Sequence, residues 1–189
     1  METHDQKATI EEAVRRMDAA IDHVRRELAG VRTGRAAVAL LDGVQVDAYG
    51  TKLPLNQVAS LSVPEPTLIL AQPFDPSQMA AIEKAILASN LGLTPSNDGK
   101  VIRLPVPPLT EERRKELSKV VHKLAEEGRN AVRQIRRDAN DRLKKMLKDH
   151  AVSEDEERRA LDEVQKVTDK HVQLIDDLQK RKDSELLGS

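Results

Sequence analysis

Leu109-Thr110-Glu111-Glu112-Arg113-Arg114-Lys115-Glu116-Leu117, running on without a proline as far as His150, is the stretch that decides the fold. Pro107 and Pro108 end the segment before it, Thr110 can cap, and Glu111 and Glu112 lie where the positive end of a helix dipole favours carboxylates. One helix is expected from Leu109 to His150. At ~1.5 Å per residue it makes a rod about 60 Å long, more than the width of a compact domain of this size, so it needs partner helices.

Its two sides carry different chemistry. At about 100° per residue, Leu117, Val121, Leu124, Ala131, Ile135 and Ala139 gather on one side, broken by Gly128 and Arg142. With Arg133 as zero, Arg129, Arg136, Arg137, Asn140 and Lys144 fall within about 60° of it on the opposite side. A charge run is ordinarily a solvated face with opposite charges interleaved at i,i+4. Here Arg129, Arg133, Arg136, Arg137, Arg142, Lys144, Lys145 and Lys148 face only Asp138 and Asp141 between residues 129 and 148. An uncompensated face richer in arginine than lysine at its centre suits bidentate contacts to phosphate.

Composition narrows the field. The chain has 189 residues, enough for one large or two small domains, and a formal net charge of −1, so nucleic-acid contact must come from local patches. Cysteine is absent, which excludes disulfides and thiolate chemistry. Tyr49 and Phe74 are the only aromatics, so there is no stacking platform for unpaired bases and RNA would be met through its backbone and shape. No apolar run approaches the ~20 residues of a membrane span. The start, Met1-Glu2-Thr3-His4-Asp5, resembles neither a secretory signal nor a transit peptide, and a cytoplasmic protein is expected.

Before the long helix, Ile10, Val14, Met17, Ile21, Val24, Leu28 and Val31 alternate spacings of four and three from about Asp5, a heptad seam, with Thr9 and Glu12 as a possible capping box. At Arg32-Thr33-Gly34-Arg35 the pattern stops. This is a helix C-terminus with Gly34 as the left-handed cap, a second basic pair facing phosphate, or both. Residues 36–108 differ in character, for they contain all nine prolines, among short β-type runs at Val44–Tyr49, Val58–Val63, Thr67–Ala71 and Val101–Leu104. Asp75-Pro76 reads as a cap and first turn of a helix carrying Met79, Ile82, Ile86 and Leu87. Asn97-Asp98-Gly99 reads as a turn.

Asp42, Asp47 and Asp75 have turn and cap duties rather than catalytic partners, and no phosphate loop, metal spacing or nucleophile elbow occurs. After the long helix, Ser153-Glu154-Asp155-Glu156 forms a capping box. It opens a helix with Leu161, Val164, Thr168, His171, Ile175 and Leu178 on its seam, running to about Glu185, where His171 is a packed imidazole rather than a ligand. The fold class is therefore α+β. Residues 1–31 and 109–189 form an antiparallel three-helix bundle, and 32–108 a small inserted α/β domain of β-α-β character. The two connections, 31–35 and 104–109, make a hinge of Val31, Arg32, Thr33 and Gly34 on one side and Pro105, Val106, Pro107 and Pro108 on the other.

With these pieces in place the sequence resembles the ribosome recycling factor family over nearly its whole length. The resemblance rests on Arg32-Thr33-Gly34-Arg35-Ala36, Leu40-Leu41-Asp42, Tyr49-Gly50, Ala88-Ser89-Asn90-Leu91-Gly92-Leu93 and Leu109 to Lys115. It continues through Val132-Arg133-Gln134-Ile135-Arg136-Arg137-Asp138-Ala139-Asn140, the Ser153 capping box and Gln165-Lys166-Val167-Thr168-Asp169. Ala37 stands where the family often has serine and Gln134 where asparagine is usual; both flank the arginines rather than replace them. The resemblance implies an L-shaped, monomeric molecule that binds the post-termination ribosome, chiefly large-subunit RNA. With elongation factor G, which uses the GTP, it would part the subunits and release mRNA and tRNA. It implies no catalytic residue, cofactor or metal. Arg32, Arg35, Arg133, Arg136 and Arg137 match the family's RNA-contacting arginines, and the wheel adds Arg129. The rival expectation is a helical adaptor that forms coiled-coil interactions through its seams without binding ribosomes.

Overall fold

The computed structural model describes residues 4–187, so Met1, Glu2 and Thr3 and the last two residues of the expected bundle lie outside it. In chain order the elements are α1 (His4–Ala29), β1 (Gln45–Ala48), β2 (Thr51–Pro54), α2 (Leu55–Val58), β3 (Ala59–Glu65), β4 (Leu68–Pro73), α3 (Met79–Ala88), β5 (Ser96–Asn97), β6 (Ile102–Pro105), α4 (Glu111–Lys148) and α5 (Glu154–Leu186). They form two units, residues up to Thr33 together with those from Glu111 onward, and Gly34–Thr110.

The first unit is α1, α4 and α5. Side-chain pairs give its register. Gly128 lies beside Val24 while Arg142 bonds Glu12, and Arg129 meets Asp176 while Arg136 meets Gln165. As α4 advances, each partner recedes, so α4 runs antiparallel to both. Met17, Ile21 and Val24 of α1, Val121, Val132 and Leu143 of α4, and Val164 and Ile175 of α5 are all buried. Removing each such side chain from water contributes ~1.5–3 kcal/mol before entropy. His171, 3% exposed, is packed as expected, with Nε2 2.7 Å from Asp18 Oδ1 and Nδ1 2.7 Å from the Val167 carbonyl.

The seam of α4 is rotated from the expected one. Val132 is buried and Ala131 exposed, Leu124 is only half-buried, and Ala125 and Gly128 lie inside. Gly128 does not break the stripe; it is buried within it, packed against Val24 and Ile175. A Cβ added there would stand 2.4 Å from Val24 Cγ2 and 3.3 Å from Ile175 Cδ1.

The ends of the long helix also differ from expectation. It begins at Glu111, because Leu109 is held beside Gly34: a Cβ on Gly34 would meet Leu109 Cγ at 2.9 Å, and its φ of +76° is left-handed. That close approach is the reason for the glycine, rather than a cap, since α1 ends earlier at Ala29. The long helix stops at Lys148, with His150 left-handed at φ 58° and the N–H groups of His150 and Ala151 donating to Leu147 and Met146. This is a Schellman ending without glycine. The expected capping box of α5 is complete: the Glu156 N–H donates to Ser153 Oγ and the Ser153 N–H to Glu156 Oε1.

The second unit holds an antiparallel sheet of order β3-β4-β6-β5 and a β1-β2 hairpin. Val46, Ile69, Ile82, Ile86, Ile102 and Leu104 lie in its core. The strand-helix-strand order is as expected, but all pairing is antiparallel, and β2, β5 and α2 were not foreseen. Asp75 caps a 3-10 turn, Pro76–Gln78, ahead of α3. Val106, expected in the hinge, is 2% exposed within this core and donates its N–H to the Thr67 carbonyl. No helix among the described residues is long and apolar enough to cross a membrane.

Gly128→Ala should overpack the bundle by about 1–3 kcal/mol against a gain of about 1 kcal/mol in helix propensity. Urea unfolding should show a lower midpoint, and Val24→Ala in the same chain should cost less than the two changes summed. The bonds from Ser153 hold the Glu156 carboxyl below its usual range. Its contribution to stability is therefore present above the ordinary glutamate value and lost as pH falls through the lower folded-state value. Melting measured from about pH 7 to about pH 3 should show a weaker acid-side loss for Glu156→Gln than for the parent chain.

Candidate RNA-binding face

The rotation of the α4 seam decides where each arginine stands. With Gly128, Val132, Ile135 and Ala139 inside, Arg129 and Arg136 move from the outward side to the flank that meets α5. Arg133 remains half-exposed and Arg137 exposed.

Arg129 is bound into the bundle. Its side chain is 12% exposed, Nε lies 2.8 Å from Asp176 Oδ1, Nη1 lies 3.0 Å from Glu126 Oε2, and Nη2 bonds Gln179 Oε1. All three faces of the guanidinium are occupied, so it clamps α4 to α5. The wheel had turned this residue outward, and its burial corrects that. Arg133 shares the same Glu126, with Nη1 3.4 Å from Oε1, and also lies 3.4 Å from Asn130 Oδ1.

Arg136 and Arg137 are held differently. Arg136 Nη1 donates to Gln165 Oε1 at 3.4 Å, and Arg137 Nη1 to Gln134 Oε1 at 3.4 Å. No carboxylate among the described residues pairs with either. Each glutamine bonds an aspartate four residues on, Gln165 Nε2 to Asp169 Oδ1 at 2.8 Å and Gln134 Nε2 to Asp138 Oδ1 at 2.9 Å. Asp138 also receives Arg16 Nη1 of α1 at 3.1 Å, and the Gln134 amide followed by Arg16 holds its carboxyl below the usual range. Arg142, which broke the expected stripe, reaches across to Glu12. Sequence reasoning named Gln134 and Gln165 within motifs but gave neither a task, although the Gln-Asp spacing of four is visible in the chain.

Arg32 is exposed in the helical unit, and Arg35 is exposed in the small one. In the small unit, the Tyr49 hydroxyl donates to Asp75 Oδ2 at 2.8 Å, while Asp75 Oδ1 accepts from the Ser77 N–H and hydroxyl. These bonds push the Tyr49 phenol up and the Asp75 carboxyl down. The group braces the turn ahead of α3. No set of three or more His, Cys, Asp or Glu among the described residues could hold a metal.

Known proteins resemble this chain both in sequence and in structure. The family described as "Ribosome recycling factor" matches residues 24–187. A ribosome-recycling factor of Shouchella clausii is 58% identical over 176 residues, 93% of this chain and 95% of the relative. One of Carboxydothermus hydrogenoformans is 55% identical over 179 residues, 95% of this chain and 97% of the relative. The solution structure of a ribosome recycling factor superposes with a TM-score of 0.76 at 40% identity, covering 99% of this chain and 100% of the other. A second structure comes from models for the T. thermophilus ribosome recycling factor and the E. coli elongation factor G bound to the E. coli post-termination complex. It gives a TM-score of 0.63 at 45% identity, with 100% of both chains covered. Similarity of this degree across both units makes the chain a member of the ribosome recycling factor family.

Proposed function

We propose that this chain acts as a ribosome recycling factor in the cytoplasm. The helical unit binds large-subunit ribosomal RNA on the post-termination ribosome through Arg32, Arg133, Arg136 and Arg137, with Arg35 contributing from the small unit. Elongation factor G, using GTP, then drives the subunits apart so that mRNA and tRNA are released. The likeness to a recycling factor placed with elongation factor G on a post-termination complex supports this assignment of partners.

The observation that carries the RNA-binding part is the pairing pattern along α4. Arg136 and Arg137 are tethered by neutral amides, so their charge remains available to phosphate, whereas Arg129 is neutralised by Asp176 and Glu126. The action needs no bond-making residue and no cofactor on this chain. Close-packed helices resist compression, so the bundle serves as a lever anchored to RNA by charge-assisted bonds. The two crossings between the units, at Thr33–Gly34 and Thr110–Glu111, are the joint through which the small unit passes on the push. The adaptor alternative needs an apolar seam left for a partner, but the three seams face one another within a single chain, as a monomer requires.

Binding to isolated large ribosomal subunits across a salt series tests the proposal. Affinity should fall steeply with salt, and Arg136→Ala should weaken binding by roughly 1–3 kcal/mol, flatten the slope by about one, and leave the melting temperature unchanged. Arg129→Ala should behave in the opposite way, lowering stability by roughly 1–2 kcal/mol as the clamp between α4 and α5 is lost. Salt-insensitive binding by folded protein would overturn the phosphate anchoring.

A further inference from the structure

A guanidinium that is to take a phosphate needs a fixed direction and an undiminished charge. A carboxylate partner supplies the first and removes the second; with no partner the long side chain keeps its charge but points nowhere in particular. A glutamine carbonyl gives direction without neutralising charge. Its weakness is that the amide has nearly the same shape either way round, and its NH₂ end would repel an arginine.

Asp169 removes that ambiguity. An ionised carboxylate only accepts hydrogen bonds, so it takes the NH₂ of Gln165 at 2.8 Å, which turns Oε1 toward Arg136. Gln134 and Asp138 repeat the construction for Arg137. The same arrangement thus occurs twice, at Arg136 and at Arg137, and once it draws its parts from a different helix.

We propose that Gln165 and Asp169 of α5 are positioning residues for RNA binding: Asp169 orients the Gln165 amide, and Gln165 aims Arg136 at phosphate while leaving its charge intact. The proposal rests on the RNA-anchoring role of Arg136. It extends the interface from α4 onto α5 and gives a task to the Gln165–Asp169 motif that phosphate contact alone leaves unexplained. The ordinary alternative is that Gln165 and Asp169 form a helix-stabilising i,i+4 pair and nothing more.

The two accounts differ in sign and in coupling. Removing an acid close to RNA should tighten binding through simple electrostatics. Positioning requires Asp169→Asn to loosen it instead. For isolated large subunits at fixed salt, Asp169→Asn should raise the dissociation constant about threefold and Gln165→Met about three- to tenfold, with helicity and melting temperature unchanged. In an Arg136→Ala background, Gln165→Met should have no further effect, because the arginine it aims is gone. Tighter or unchanged binding by Asp169→Asn, or a Gln165→Met loss that persists without Arg136, would overturn the positioning role and leave the RNA anchoring standing. If Arg136→Ala alone binds as the parent chain does, the anchoring fails and the positioning role falls with it.

Discussion

The helical unit depends on how closely α4 approaches its partners at Gly128. A side chain there would occupy space already filled by Val24 and Ile175, so the glycine sets both the separation and the rotation of the long helix. Rotation is the consequential variable. A helix turned by a single residue's angle exchanges its flank positions for outward ones, and the arginines of α4 are distributed over both. The site is therefore set by a contact on the opposite side of the helix from the chemistry.

That division assigns different work to similar residues. Arg129, Arg133, Arg136 and Arg137 lie within three turns, yet the first two meet Glu126 while the last two meet glutamine amides and no carboxylate among the described residues. Arg129 holds helices together because its charge is matched at close range and mostly out of solvent. Arg136 and Arg137 keep an unmatched charge on a framework that does not yield, a more demanding arrangement because nearby acids must be present for orientation but kept one amide away.

Much of this was legible in the sequence. Seams in fours and threes on α1 and α5 and an apolar stripe on α4 identified three mutually packed helices, and the Ser153 capping box placed the start of α5 correctly. The rotation was misjudged because Gly128 carries no hydropathy and so looked like a gap in the stripe, when it is buried within the seam. The outward placing of Arg129 followed from that error. In the small unit, β2 escaped notice because its burial does not alternate, unlike that of the equally short β1 and β6, and β5 because two residues are too few for alternation to register. Gly34 was recognised as left-handed, but its neighbour Leu109 lies some seventy residues away in the chain, a distance that no local pattern spans.

The order in which the chain is made gives the discontinuous bundle a further consequence. Translation delivers α1 first, then the whole of Gly34–Thr110, and only afterwards α4 and α5. At ~5–20 residues per second, the apolar seam of α1 waits several seconds for its first permanent partner, while the contiguous small unit can close as soon as it emerges. The abundant charges between the seam residues of α1, Glu11 and Glu12 with Arg15 and Arg16 and again Arg25 and Arg26 with Glu27, keep the waiting helix hydrated. A factor that serves the ribosome thus carries, in its first helix, an answer to a problem posed by its own synthesis.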